Sequence, residues 1–322
     1  MIHLSRRVVL TGSLLLTLPG LAQAAAFPEK PVKMVIGYSA GSSTDTIGRL
    51  VAQGLSNLWK QPVVVENRAG AAGNIAADHV AKSPADGYTL LFAQNGLAIS
   101  VASRKLPFDG RKDLLPVAGV TATPHLLIVK DSLPVKDVQS LIELARQQQG
   151  KLNFSSAGIG NSDHMAGELF KALTGIQAQH IPYKSGMSAA TDLVGGSIDF
   201  YFSGMPVGLP LYKSGRVRAL AVTSAQRYAD APEIPTMQEA GVKDYEMALW
   251  QGVFLARDTP PDVAKAIGDS VLELLRDPEV QKSLTGAGAQ LAPLPAEAFS
   301  RLYLSDIDRW TRIIADAGIT LE

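Results

Sequence analysis

The chain has 322 residues, 46% hydrophobic and 19% charged, which is enough for about two domains with a buried core. Lys+Arg and Asp+Glu both number 30, so the balance favours neither nucleic acid, nor a polyanion, nor an acidic membrane surface as partner. Cysteine is absent, which excludes disulfides, thiolate metal sites and a cysteine nucleophile.

Residues 1–24 read as an export signal rather than as part of the fold. Arg6 and Arg7 form a positive start, Val8 to Leu21 is apolar but short for a bilayer span, and Ala22-Gln23-Ala24 is a small-x-small cleavage site. The arginine pair and the Thr11, Gly12, Ser13 and Thr17 interruptions fit the twin-arginine route, although Arg-Arg also occurs in Sec signals. Removing this segment takes away two bases and no acid, leaving a net charge of −2. The expectation is a soluble periplasmic protein processed near Ala24, with no lipid anchor.

Val32 to Ile36 reads as a buried strand. Small residues follow from Gly37 to Ser43, with Tyr38 the only bulky one. Thr44 or Asp45 then caps a helix in which Ile47, Leu50, Val51, Leu55 and Leu58 recur at helical spacing through Trp59. Such a strand, loop and helix start presents unpaired N–H groups and the positive end of the helix dipole to one point, which suits a carboxylate or phosphate. An ordinary βα turn has the same look, so the loop by itself leaves both readings open.

A strand at Pro62–Glu66, a glycine-rich loop at Asn67–Gly73, a helix from Asn74 to Ala81 and a strand at Tyr88–Ala93 continue a βαβαβ rhythm. That rhythm signifies a parallel sheet covered on both faces. Leu126–Val129 is a strand, Val138–Gln148 a helix and Leu152–Ser155 a strand. A second small-residue loop then runs from Ser155 to His164, with Ser162 or Asp163 as cap for the helix Met165–Leu173. Further strands fall at Gln179–Tyr183, Ile198–Phe202 and Ala219–Thr223, with helices near Ala189–Val194 and Pro206–Ser214. The tail is helical at Pro261–Arg276, Pro278–Leu284 and Pro295–Ala317. Two βα series without a free linker imply shared crossings, for which His125–Val129 and Trp250–Ala256 are the candidate strands.

Catalytic and metal signatures are missing. The five histidines, His3, His79, His125, His164 and His180, show no metal-ligand spacing. His79 reads as a surface or satisfied residue, and His164 as either a ligand contact or a cap. No G-x-S-x-G elbow, dinucleotide fingerprint or P-loop occurs. Asp45 and Arg49 are placed to pair along one helix face. Asp199 either faces a cleft or caps a turn. These absences point away from an enzyme and from any cofactor or metal; an exported metal-free hydrolase or lyase with a non-local site is the rival.

The set Val35-Ile36-Gly37-Tyr38-Ser39-Ala40-Gly41-Ser42-Ser43-Thr44-Asp45…Arg49, Val63 to Asn74, Pro84 to Leu91, Asn153 to Phe170, Ile181 to Lys184, Asp192 to Asp199, Arg218 to Thr223 and Pro235 to Gly241 resembles the Bug-type periplasmic solute receptors of tripartite tricarboxylate transporters. The resemblance implies an α/β, two-lobed Venus-flytrap receptor whose two loops clasp a ligand carboxylate through backbone N–H groups, hydroxyls and water. It departs from the family where Gly41-Ser42 replaces Gly-Gly, where Gly37 and Ser39 replace proline, and where Ser185 follows Pro-Tyr-Lys.

On this reading lobe 1 comprises 25–124 and 251–322, and lobe 2 comprises 125–250. The expected ligand-binding residues are Tyr38, Ser39, Ala40, Gly41, Ser42, Ser43, Thr44 and Asp45 in the first loop. The second loop adds Ser156, Ala157, Gly158, Ile159, Gly160, Asn161, Asp163 and His164. Gln94, Asn95, Tyr183, Ser203 and Trp250 are candidates for the far end of the pocket, and Asp199 is a further candidate ligand-binding residue. The expected partners are a small organic acid (a mono-, di- or tricarboxylate, an aromatic acid or an acidic amino acid) and transporter membrane subunits, with the receptor a monomer. Signalling to a membrane sensor is the alternative purpose.

Overall fold

The computed structural model describes residues 27–317; the expected export signal lies outside them. Strand β1 (Val32–Ile36) has parallel neighbours on both sides, β2 (Val63–Asn67) and β3 (Thr89–Gln94). Helices α1 (Ser43–Trp59) and α2 (Asn74–Ala81) are the crossovers between them. A short helix absent from the sequence reading, α3 (Gly96–Ser103), follows β3. It is apolar nearly throughout, so no period marks it as a helix.

The chain then enters β4 (Leu114–Lys130), far longer than the expected strand. Its first part pairs antiparallel with β9 (Ala248–Ala256) as far as Pro124, and from His125 onward it pairs with β7 (Phe200–Gly204) and β8 (Val217–Val222). Proline has no N–H for a ladder, and the change of partners falls at Pro124. Beyond it lie α4 (Val138–Gln148), β5 (Asn153–Ser156), α5 (Ser162–Thr174), β6 (Gln179–Pro182), α6 (Gly186–Val194) and α7 (Met205–Lys213). The tail holds α8 (Pro261–Leu274), α9 (Pro278–Gly286), β10 (Leu291–Pro295) and α10 (Ala296–Ala317). The proline-bearing β10 is an edge strand on β4, where a missing N–H is tolerated, and it too was absent from the sequence reading.

Alternation along the strands divides the core. Met34 and Ile36 pack with Ile47, Val51 and Leu55 of α1 and with Ile267 and Val271 of α8. Val35 and Leu91 face the other way, onto Ala76 and Val80 of α2 and Phe299, Tyr303 and Ile307 of α10. In the second sheet Leu127 and Val129 meet α4 and α5, while Leu126 and Ile128 meet α6. Helix α10 joins both halves: Phe299 and Tyr303 belong to the first sheet, but Trp310 is buried in the core of the second. β4 changes partners between residues 124 and 125, whereas residue 250 lies within β9, which pairs with the first part of β4 from Ala248 onward, and α10 packs into both cores.

Candidate functional site

Strand direction brings the two loops together. β3 and β9 are antiparallel, as are β9 and β4, so β1 and β3 end toward the crossover, where Gln94 pairs with Gln251 and Gln251 with Thr121. In the second sheet β7 ends opposite His125, and β5 runs parallel to β7, so Ser156 also ends at the crossover. The loops following β1 and β5 thus open onto opposite sides of the same short stretch of β4 and β9. Burial, and with it the charge of Asp163 in the second loop, pushes the Tyr38 phenol in the first loop well above its usual range.

Both helix starts are built alike, and both caps fall before the expected ones, by at least two residues in α1 and at least one in α5. Ser42, not Thr44 or Asp45, caps α1: its Oγ accepts from Asp45 N at 3.2 Å. Asn161, not Ser162 or Asp163, caps α5: its Oδ1 accepts from His164 N at 3.0 Å. In each case the third helical side chain reaches back to the residue before the cap. Gly41 N donates to Asp45 Oδ2 at 2.8 Å, and Gly160 N donates to His164 Nδ1 at 3.1 Å. These are reciprocal caps, displaced by one residue from a capping box. Gly160 needs its positive φ of 78° for this, a conformation that side chains resist.

The consequence for binding is specific. Gly41 and Gly160 N–H are engaged by the caps, Ala157 N donates to Asp163 Oδ2 at 3.2 Å, and Gly158 N donates to Ser156 Oγ at 3.1 Å. At the helix starts themselves, the N–H groups of Ser43 and Thr44 in α1 and of Ser162 and Asp163 in α5 are engaged by none of these contacts. Among the expected hydroxyls, that of Ser42 is taken as a cap, and Ser185 likewise caps α6. Ser39, Ala40 and Gly41 are exposed at the loop tip, and Tyr38 donates its OH to Ala72 O at 3.0 Å.

Each helix start is tied to the crossover. Thr44 Oγ1 donates to Gln94 Oε1 at 3.0 Å and accepts from Gln251 Nε2 at 3.3 Å, and Thr121 Oγ1 donates to Gln251 Oε1 at 3.0 Å. On the other side Asp163 Oδ2 accepts from Tyr201 OH at 2.8 Å, and Asp163 Oδ1 lies 3.3 Å from His125 Nε2. Burial opposes the ionised form of Asp163, but the His125, Tyr201 and Ala157 donors outweigh it and hold the carboxyl below its usual range. Asp45 behaves alike: burial is outweighed by Arg49, Asn67 and Gly41. Arg49 Nε donates to Asp45 Oδ2 at 2.9 Å and Arg49 Nη2 to Asn67 Oδ1 at 2.8 Å, so the expected Asp45–Arg49 pair forms and the guanidinium braces the loop.

Behind the second loop two imidazoles stack, His164 on His180, with centroids 3.7 Å apart. Ser156 Oγ lies 2.7 Å from His180 Nε2. Burial, then the neighbouring His164, pushes His180 down to about 3. Because His164 Nδ1 accepts from Gly160, its proton is on Nε2, facing Glu168 at 3.6 Å. No sequence signal singled out His180, Tyr201, Gln251 or Thr121, because their partners are distant in the chain.

Asp199 and two of the far-end candidates have other partners. Asp199 pairs with Lys130 at 2.7 Å and accepts from Asn153 N at 2.8 Å, at the entrance of β7 and so at the end of the sheet opposite the second loop. Trp250 is buried in the first-sheet core and donates Nε1 to Asp306 Oδ2 at 2.8 Å; burial raises the Asp306 carboxyl to about 6. Tyr183 lies at the second loop's end of its sheet, but its OH donates to Asp192 Oδ2 at 2.6 Å. Gln94, Asn95 and Ser203 lie at the crossover, each buried. Ile159, in contrast, is exposed at the tip of the second loop.

One cluster superficially suits nucleophilic catalysis. Ser162 Oγ lies 3.1 Å from His125 Nε2, beside Asp163. In a serine triad the acid holds the imidazole nitrogen opposite the serine, and the serine is accessible. Here Asp163 and Ser162 share one nitrogen, Ser162 is 3% exposed, and His125 Nδ1 has no partner. Among the described residues no group of three or more His, Cys, Asp or Glu side chains is arranged to hold a metal, and no helix is long and apolar enough to cross a membrane.

Two α/β halves joined by crossover strands, with paired helix starts facing the junction, define a two-lobed solute-binding protein. Residues 47–319 match the tripartite tricarboxylate transporter family receptor, and the chain belongs to that family. It is 32% identical to protein BugT of Bordetella pertussis over 302 residues, 93% of each chain. Among solved structures, R. palustris Rpa4515 with adipate matches with a TM-score of 0.84 at 34% identity, over 91% of this chain and 99% of that one. MatC from Rhodopseudomonas palustris with bound malate matches with a TM-score of 0.81 at 28% identity, over 89% of this chain and 100% of that one.

Proposed function

We propose that the chain is an exported receptor that closes two lobes around a small organic acid and delivers it to the membrane subunits of a tripartite tricarboxylate-type transporter. One carboxylate sits between the first turns of α1 and α5, taken up by the N–H groups of Ser43, Thr44, Ser162 and Asp163 and by the Ser39 and Ser43 hydroxyls. The observation that carries this reading is the pair of reciprocal caps opening on one junction, with the only arginine of either helix start, Arg49, already engaged by Asp45 and Asn67. Helix N-termini supply positive potential without a titrating partner. Affinity should therefore fall with acid only where the ligand itself protonates. No turnover accompanies binding. Residues 1–24 direct export to the periplasm. Adipate and malate, found on the two structural relatives, set the expected size of the ligand.

A thermal-shift screen against mono-, di- and tricarboxylates, aromatic acids and acidic amino acids tests the proposal. A ligand held at a thousand times its Kd adds about 4 kcal/mol to native stability, so a micromolar binder at millimolar concentration gives a clear shift. No shift with any acid would remove the carboxylate clasp, and products formed from the bound acid would favour an enzyme instead.

A further inference from the structure

At the crossover, between the two helix starts, the structure leaves two buried acceptors without a donor. Asn95, 1% exposed, follows β3 directly. Its Nδ2 donates to Ala248 O at 3.1 Å, which fixes the amide, since the flipped form would set carbonyl against carbonyl. Its Oδ1 has no partner. His125, fully buried, opens the second-sheet part of β4. Ser162 donates its own hydroxyl proton to Asp163 Oδ1 at 3.3 Å, so the contact between ring and serine uses the hydrogen on His125 Nε2. In the neutral ring that leaves Nδ1 a bare acceptor, and it too has no partner.

The two residues are neighbours through the strands. Ala248, which holds the Asn95 amide, is paired with Pro124, the residue before His125. Each also stands beside one helix start. Asn95 adjoins Gln94, the partner of Thr44 in α1, and His125 touches Ser162 and Asp163 of α5. Four other polar groups of the crossover, Thr44, Gln94, Thr121 and Gln251, are bonded to one another. Buried polar atoms in native proteins are paired with few exceptions, so two orphans at one junction call for a group brought from outside the chain.

We infer that the acid bound here carries a hydrogen-bond donor close to its carboxylate, a hydroxyl or an ammonium group, which Asn95 Oδ1 and His125 Nδ1 accept. The inference rests on the carboxylate reading above and narrows it: hydroxy and amino acids are the ligands, and their unsubstituted counterparts are discriminated against. A site with buried acceptors rejects an analogue that lacks the donor far more strongly than an apolar site rejects an extra hydroxyl.

Calorimetric titration of the purified protein with matched sets tests this: succinate, malate and aspartate, then glutarate, 2-hydroxyglutarate and glutamate, and the same trio for any other acid that passes the screen. In at least one set the hydroxy or amino member should bind at least tenfold tighter than the unsubstituted acid. Asn95→Ala should reduce that preference to less than threefold. Equal affinities throughout every set, or a preference that survives Asn95→Ala, would overturn the inference while the carboxylate site stood. Failure of every acid to bind would remove the carboxylate reading itself. The wild-type ratio alone decides the matter if the variant does not fold.

Discussion

The two helix starts share a backbone design and differ in what holds it. In α1 the glycine before the cap is held by the Asp45 carboxylate, and in α5 by the His164 imidazole. Asp45 is steadied by Arg49, whose side chain is 48% exposed, so this brace is in contact with solvent. The corresponding brace of the second loop, Asp163 with His125 and Tyr201, is sealed in. Exposed ion pairs contribute little, whereas a buried carboxylate is tolerated only when donors surround it. Both carboxylates are buried, so the loops differ in what braces them, an exposed arginine in the first and the buried His125 and Tyr201 in the second.

Removing Asp163 should break this contrast most severely. Asp163→Ala leaves Tyr201, Ala157 N and His125 without their acceptor, and urea unfolding should show a loss of about 3 kcal/mol. A loss under about 1 kcal/mol would mean that the sealed brace holds nothing together. Asp45→Ala should cost about 1 kcal/mol of stability, because its main partner is solvent-exposed, and should weaken ligand binding about tenfold by freeing Gly41 N and the loop tip. Wild-type affinity in that variant would detach the first loop from binding.

The smallest effect sharpens the comparison by pH. His180 is lowered from 6.5 to about 3, so the unfolded chain takes up a proton in that window and the folded one does not. Its contribution is complete above pH 6.5 and is lost as pH falls toward 3. Asp45, a carboxyl lowered from 3.8, keeps its contribution until pH falls below that value. Between these limits His180 responds and Asp45 does not. His180→Asn should flatten the acid limb of the melting curve by about 1 kcal/mol, screened because the ring is partly exposed. Asp306, raised from 3.8 to about 6, works in the opposite sense, gaining stability as pH falls through that range, so the variant must be compared with wild type at each pH. Identical acid limbs would show that His180 is not buried as a neutral ring.

Much of this architecture was readable before the fold. Val32–Ile36 and Val138–Gln148 appear with the boundaries that periodicity gave them, and both small-residue loops lie between a strand and a helix. Periodicity reports which face is buried, and that is a local property. It fails where burial is complete, as in α3, or where a strand outlasts one sheet, as β4 does across Pro124. The caps were misplaced for a similar reason. Ser42, Ser43, Thr44 and Asp45 are all competent caps, and only the three-dimensional path of the loop selects Ser42.

By itself the sequence determined the strand–loop–helix units, their glycine-dependent turns, and the lack of thiol chemistry, because these follow from residue type and spacing along a short stretch. Tertiary structure decided which N–H groups stay open, that Trp250 and Asp199 serve packing and a strand entrance, and that Asn95 and His125 are left unpaired. Those outcomes depend on which distant group reaches each donor or acceptor first, and no local pattern encodes that choice.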